Sequence, residues 1–173
     1  DIETKKYVIA GYILDATGKI IAQGQYEGEI GGKEVSEFCY PISVLSPERW
    51  SPDNPYQYTM LTKVLSDGLE MDEYNVKFGF RTFRVDTDKG VFMNDKHYKI
   101  KGLCGHADCG LLGKAVSDNI HRYKVQLMRE MGANGYRTTH YMQAEALMDA
   151  LDENGFIVMD EVRWFESSEE GKE

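Results

Sequence analysis

Apolar and polar positions along this chain follow two different periods, and the change falls near residue 90. Before it, short runs alternate with period two between turn residues, the signature of half-buried strands. Residues 7–14 form one such run, Asp15-Ala-Thr-Gly18 a hairpin-type turn, and residues 20–26 the returning strand. Residues 28–33 are polar and glycine-rich and predict a loop. Residues 38–44 predict a third strand, with Pro41 confining it to an edge or an irregular start. Residues 46–55 hold three of the four prolines and predict a shaped, non-regular connection. Residues 56–65 alternate (Tyr56, Tyr58, Met60, Thr62, Val64). So do 76–85, with Phe78, Phe80 and Thr82 on one side and Arg81 and Phe83 on the other. Strands at this spacing predict a β-sandwich.

Residues 92–98 fold around Asn94-Asp95, a two-residue hairpin turn, and then the period changes. Residues 98–104 read as a strand. Ser117 is an N-cap for a helix over 118–131, with Ile120, Tyr123, Lys124, Leu127, Met128 and Met131 on its inward face and Gly132 at C′. Lys124 buries its stem there while its amine reaches water. Residues 135–140 are the next strand. Residues 144–153 are a second helix, with Leu147, Met148 and Leu151 inward and Gly155 stopping it. Phe156-Ile-Val-Met159 is a continuous apolar run, which belongs in a parallel sheet covered on both faces. Strand–helix–strand–helix–strand begins either a doubly wound sheet or a (β/α)8 barrel. A dinucleotide fold wants G-x-G-x-x-G after its first strand, and Gly102-Leu-Cys-Gly-His-Ala-Asp108 lacks that spacing. Polar groups gather instead where strands end: His106 and Asp108, His140, then Asp160 and Glu161. A barrel active site has that arrangement, so the barrel reading is favoured.

Composition narrows the function. The net charge of −9 is spread evenly, with 9 basic and 14 acidic groups in residues 1–86 and 11 and 15 in 87–173. No basic stripe awaits a phosphate backbone, so nucleic acid is not an expected partner. No apolar run reaches the ~18 residues of a membrane span, and no membrane partner is expected. No signal peptide is read, although the chain opens on Asp1 and a leader ahead of it is not excluded. Three cysteines (Cys39, Cys104, Cys109) make no disulfide framework. The compartment stays open: periplasmic, secreted or cytoplasmic.

Each candidate site has a plainer rival. Cys104, His106, Asp108 and Cys109 have no familiar zinc spacing, and the preferred reading packs Cys104 in a barrel core while His106 and Asp108 line the strand mouth. Arg137 in a strand is costly unless paired, with Asp160 or Glu161 as partner; His140 either caps the strand end or donates to a polar ligand. Asp160 and Glu161 are adjacent and point to opposite faces. They therefore cannot flank one bond as the carboxyl pair of a glycosidase must. Trp50 and the tyrosines around Pro55 read as packing at a domain junction rather than as a sugar platform, because Trp is seldom left exposed.

An ordered set of segments carries a resemblance. Trp50-Ser-Pro-Asp-Asn-Pro-Tyr56, Phe78-Gly-Phe-Arg81, Phe92-Met-Asn94 with Lys101-Gly102, His106, Arg137-Thr-Thr-His-Tyr141 and Val158-Met-Asp-Glu161 occur in this order. The chain resembles glycoside hydrolase family 2, the β-galactosidase, β-glucuronidase and β-mannosidase group. The resemblance implies an all-β immunoglobulin-like sandwich over 1–86, a connecting hairpin over 87–97, and an incomplete (β/α)8 barrel over 98–173 with its first three strands and two helices. It implies that both catalytic glutamates, an acid/base in an Asn-Glu motif on the fourth strand and a nucleophile on the seventh, lie beyond Glu173. The chain then holds no catalytic residue and needs no cofactor.

By the same resemblance His106, Asp108, Arg137, His140, Asp160 and Glu161 bind substrate, His106 as the histidine ending the first strand and His140 as the one contacting the sugar. Two segments depart from the pattern. Cys104-Gly-His-Ala107 stands where members often have Asn-Arg-His-Glu, and Val162-Arg-Trp-Phe-Glu166 offers at best one acid where magnesium-binding members carry Glu and His. No metal site is expected. The Gly-His-x-Asp segment leans toward bacterial β-galactosidases. The implied parent is a retaining exo-β-glycosidase acting on carbohydrate. The isolated chain is expected to be inactive, and to dimerise, swap or disorder through exposed barrel edges. Two rivals remain: a non-catalytic carbohydrate-binding or interaction module, and a small βαβ metal protein using Cys104, His106 and Cys109.

Overall fold

The structure, a computed structural model, describes residues 3–161 and divides into two units. The first comprises residues up to Arg49 and Tyr56–Phe80; the second comprises Trp50–Pro55 and the residues from Arg81 onward.

The first unit is built on one four-stranded antiparallel sheet in the order β2-β1-β3-β4. Its strands are β1 (Lys5–Leu14), β2 (Ile20–Ile30), β3 (Tyr58–Ser66) and β4 (Leu69–Phe78). Ile9, Ala10 and Ile13 of the central strand β1 are buried, whereas edge strand β4 is exposed along most of its length. The turn after β1 forms as expected, with Asp15 Oδ1 accepting the N–H groups of Thr17 (2.9 Å) and Lys19 (3.1 Å).

Three expectations fail in this unit. Strand β2 extends to Ile30, into the first half of the segment read as a loop over 28–33, because Gly24 and Gly28 lie on one pleat where neighbouring side chains need their space. Residues 38–44 form no strand. They lie across the sheet instead of along its edge: Tyr40 and Ile42 rest over Gly11 and Gly24, which face each other in the β1/β2 register. A Cβ on Gly11 would stand 2.5 Å from the Tyr40 hydroxyl oxygen. The segment read as one strand over 76–85 is two, because β4 ends at Phe78 and β5 begins at Phe83. Between them Phe80 packs with Tyr58 and Phe78, ring centroids 5.3 and 5.2 Å apart. The crossing segment and the sheet together line an open apolar groove of about 630 Å3.

The second unit opens with an antiparallel meander of β5 (Phe83–Asp86), β6 (Gly90–Met93) and β7 (Lys96–Tyr98). Its β6–β7 turn is Asn94-Asp95, both at positive φ (50° and 66°), as a tight hairpin requires. Three parallel strands follow, in the order β10-β9-β8: β8 (Gly102–Gly105), β9 (Gly135–Thr138) and β10 (Ile157–Met159). Helices α1 (Asp118–Glu130) and α2 (Glu145–Glu153) connect them. The strand expected over 98–104 is thus divided between β7 and β8. Asn134 ties the strand starts together: its Oδ1 accepts the Lys101 N–H (2.7 Å) and its Nδ2 donates to Lys99 O (3.0 Å).

The core of this unit is Val125 and Met128 of α1, Leu147, Ala150 and Leu151 of α2, with Ala133, Tyr136 and Phe156. Helix α2 buries the expected face. Helix α1 does not: it buries His121, Val125 and Met128, while Tyr123, Leu127 and Met131 are exposed. Strand β10 is also not covered on both faces, for Met159 is 66% exposed. It shares a register row with Cys104 and Arg137, also exposed. Trp50 is buried here; its Nε1 donates to Asp152 O at 3.0 Å and the Arg81 guanidinium lies 5.0 Å from the ring centre. No ring face is offered to a sugar. No helix among the described residues is long and apolar enough to cross a membrane.

Candidate functional site

Parallel strands that start in register deliver their last residues to one end of the sheet. Here β8 delivers His106, β9 delivers His140 and Tyr141, and β10 delivers Asp160 and Glu161. The two histidine rings meet edge to face, centroids 5.8 Å apart. Glu161 joins β9 to β10: one carboxylate oxygen accepts from Arg137 Nε, and the other lies 3.0 Å from His140 Nδ1. Loss of solvent pushes the Glu161 carboxyl up, but the hydrogen bonds from Arg137 and His140 and the guanidinium charge outweigh it and hold it below the usual carboxylate range.

Asp160 faces the other way. Its Oδ1 accepts the buried Thr138 hydroxyl (2.8 Å), and that same Thr138 oxygen accepts the Glu161 N–H (2.7 Å). The two adjacent acids therefore serve different partners, as strand alternation demands. Neither is placed as one of two carboxyls facing each other across a bond.

The backbone under His106 is held from below. Lys124 Nζ donates to His106 O at 3.2 Å, and the Thr139 N–H donates to Gly105 O at 3.3 Å. Lys124 is half-buried, and its amine reaches this carbonyl on the exposed side of the helix. Tyr136 fills the space beside Gly105, and burial pushes its phenol up to about 12.

The cluster gathers imidazoles, a guanidinium and a carboxylate at the C-terminal ends of parallel strands, where barrel active sites lie. Two family models cover nearly the whole chain. "Glycosyl hydrolases family 2" matches residues 1–81 and "Glycosyl hydrolases family 2, TIM barrel domain" matches residues 84–168. The chain belongs to glycoside hydrolase family 2. Among relatives, this family 2 chain is similar to beta-galactosidase BoGH2A of Bacteroides ovatus, 41% identical over 88% of the chain and 18% of the relative. It is also similar to a beta-glucuronidase of Bacteroides fragilis, 34% identical over 87% of the chain and 22% of the relative. Among solved structures it matches a Bacteroides uniformis beta-glucuronidase with a TM-score of 0.90 at 30% identity, over 98% of the chain and 21% of that structure. The chain spans about a fifth of the length of these relatives.

Within the family 2 chain, the structure gathers His106, Arg137, His140 and Glu161, with Asp160 one position aside. Asp108 is not gathered; it lies exposed in the first βα loop, with no hydrogen bond or ion pair to the cluster among the described residues. Cys104 is exposed, not packed in a core as expected. Cys104, His106 and Cys109 do not converge, and among the described residues no three His, Cys, Asp or Glu side chains are placed to hold a metal ion. Val162 to Glu166 lie outside the described residues. Sequence reasoning passed over Tyr141 and Thr138 as parts of the site. Tyr141 left one signal: it directly follows His140 in the segment that carries the family resemblance.

Proposed function

We propose that this family 2 chain forms one wall of the sugar pocket of a retaining exo-β-glycosidase, β-galactosidase-like in preference. The observation that carries the reading is the convergence of His106, Arg137, His140 and Glu161 at the ends of three consecutive parallel strands. In this reading the strands are the first three of an incomplete (β/α)8 barrel over 98–173. The first unit, with residues 81–86, corresponds to the immunoglobulin-like domain, and the hairpin over 87–97 connects them.

His106 and His140 donate to sugar hydroxyls, Arg137 and Glu161 set the position of His140, and Asp160 supports the wall through Thr138. Asp108 contributes from the loop. A retaining mechanism needs two carboxyls about 5 Å apart, one protonating the leaving oxygen and one forming the glycosyl-enzyme bond. No Asn-Glu dipeptide occurs in the chain, and Glu161 is engaged by Arg137 and His140. The reaction therefore draws its acid/base and its nucleophile from elsewhere in the enzyme, and the 173-residue chain is inactive by itself.

The test is an assay of both forms on nitrophenyl β-galactoside and nitrophenyl β-glucuronide. The full-length enzyme containing this chain is expected to prefer the galactoside and to release the β-anomer first, and the 173-residue chain to release nothing above a mock preparation. Turnover by the short chain would overturn the assignment of the catalytic carboxyls. Sugar binding by a full-length protein that cleaves neither substrate would favour a carbohydrate-binding module instead.

A further inference from the structure

Tyr141 stands where the first βα loop both leaves and returns. Its hydroxyl oxygen accepts the Ala107 N–H at 3.3 Å and lies 3.4 Å from His106 Nδ1. At the other end of that loop, the Lys114 ammonium sits 4.6 Å from the centre of the same ring. The main chain at His106 is anchored independently, by Lys124 on His106 O and by Thr139 on Gly105 O. What remains to be set is the orientation and protonation of the imidazole.

A phenol has one proton to give and two lone pairs. The Ala107 amide can only donate, so it occupies one lone pair, and the phenolic proton is free to be given to His106 Nδ1. A neutral imidazole that accepts at Nδ1 carries its own proton on Nε2. We propose that Tyr141 is a positioning residue that selects the Nε2–H tautomer of His106 and pins both ends of loop 107–114 as a preformed rim. His106 then offers an N–H donor at the nitrogen away from Tyr141, suited to a sugar hydroxyl; this last consequence rests on the sugar-pocket reading above.

Nitrogen-15 NMR of the full-length enzyme containing this chain, as wild type, Y141F and K114M, tests the proposal without a sugar. Wild type is expected to show His106 as the Nε2–H tautomer. Y141F keeps the ring, and with it the Lys114 contact, but loses the hydroxyl. It is expected to show mixed His106 tautomers and roughly tenfold faster exchange of the Ala107 amide, the factor an ordinary net hydrogen bond is worth. His97 and His121 serve as unaffected references, and K114M is expected to loosen the loop while the His106 tautomer stays as in wild type.

An unchanged His106 in Y141F overturns the proposal, and so does a wild-type His106 protonated at Nδ1. A tautomer change in K114M overturns the role given to the hydroxyl. Collapse of the whole Y141F spectrum overturns it as well, since Tyr141 is then a folding residue. Because the readout needs no ligand, its failure leaves the glycosidase reading standing, and a failed glycosidase assay leaves the tautomer result standing.

Discussion

Glu161 holds Arg137 and His140 with opposite oxygens of one carboxylate, so its charge state decides whether β9 and β10 are tied at their ends. Its pKa lies below the ordinary 4.5. A carboxyl depressed on folding contributes stability above its unfolded pKa and loses it as pH falls through the folded value. Urea unfolding is therefore expected to find E161Q less stable than wild type at pH 7, with the gap closing below about pH 4.5. A gap that persists undiminished at pH 3 would refute the assignment. Tyr136 has the opposite sign. Its hydroxyl is buried with no hydrogen-bond partner among the described residues, and its pKa is pushed up from 10.0 to about 12. Stability held by the neutral phenol is intact below pH 10 and declines as pH rises toward 12. Y136F removes a polar group that gains nothing, so it is expected to be neutral or stabilising at pH 7, and to lose less stability than wild type between pH 10 and 12. The same change measured at pH 7 as a loss of several kcal/mol would show a hydroxyl partner in solution.

Helix α1 shows what an apolar stripe leaves undecided. Apolar side chains surround much of the helix, and periodicity admits two inward faces about one residue apart. Packing against α2 and β9 selects Val125 and Met128, leaving their neighbour Leu127 40% exposed. Truncation should separate the two: Met128→Ala is expected to cost about 2–5 kcal/mol and Leu127→Ala no more than about 0.5. Thermal unfolding of the pair checks this, and equal losses would contradict the observed face. Strand β4 was legible over its whole length but read only from Val76. Asp67-Gly68, at φ 51° and 77°, is a strong short-range hairpin signal between alternating residues. It pairs Ser66 with Leu69. Residues 38–44 carry strand-like alternation, but nothing local distinguishes an edge strand from a segment laid across a sheet.

At the scale of the molecule, unpaired edges dominate. Among the described residues β8 and β10 each have one neighbour, and β2 and β4 likewise. Leu69, Met71 and Tyr74 of β4 and Met159 of β10 are more than 60% exposed. Open edges beside exposed apolar residues recruit another chain. The 173-residue chain is therefore expected to self-associate, with light scattering giving a mass of two or more chains at micromolar concentration. A monomer across that range would count against the proposal. The candidate site was read in large part before any fold was seen, since strand ends concentrate polar residues and His106, Arg137, His140 and Glu161 all sit at such ends. Asp108 stands apart from the cluster, because a loop residue near a strand end has no register to aim it.

Local periods and turn residues were enough to place both helices, the Asn94-Asp95 turn, the change from alternating strands to βαβ units and the family, because each is written within a few adjacent positions. The inward face of α1, the crossing of residues 38–44 over Gly11 and Gly24, the choice of Glu161 over Asp160 as partner of Arg137, and the tie from Tyr141 to His106 came only with the folded chain. The last three of these join residues 16 to 35 positions apart, and burial and register, which no single segment contains, select among the pairings that local pattern allows.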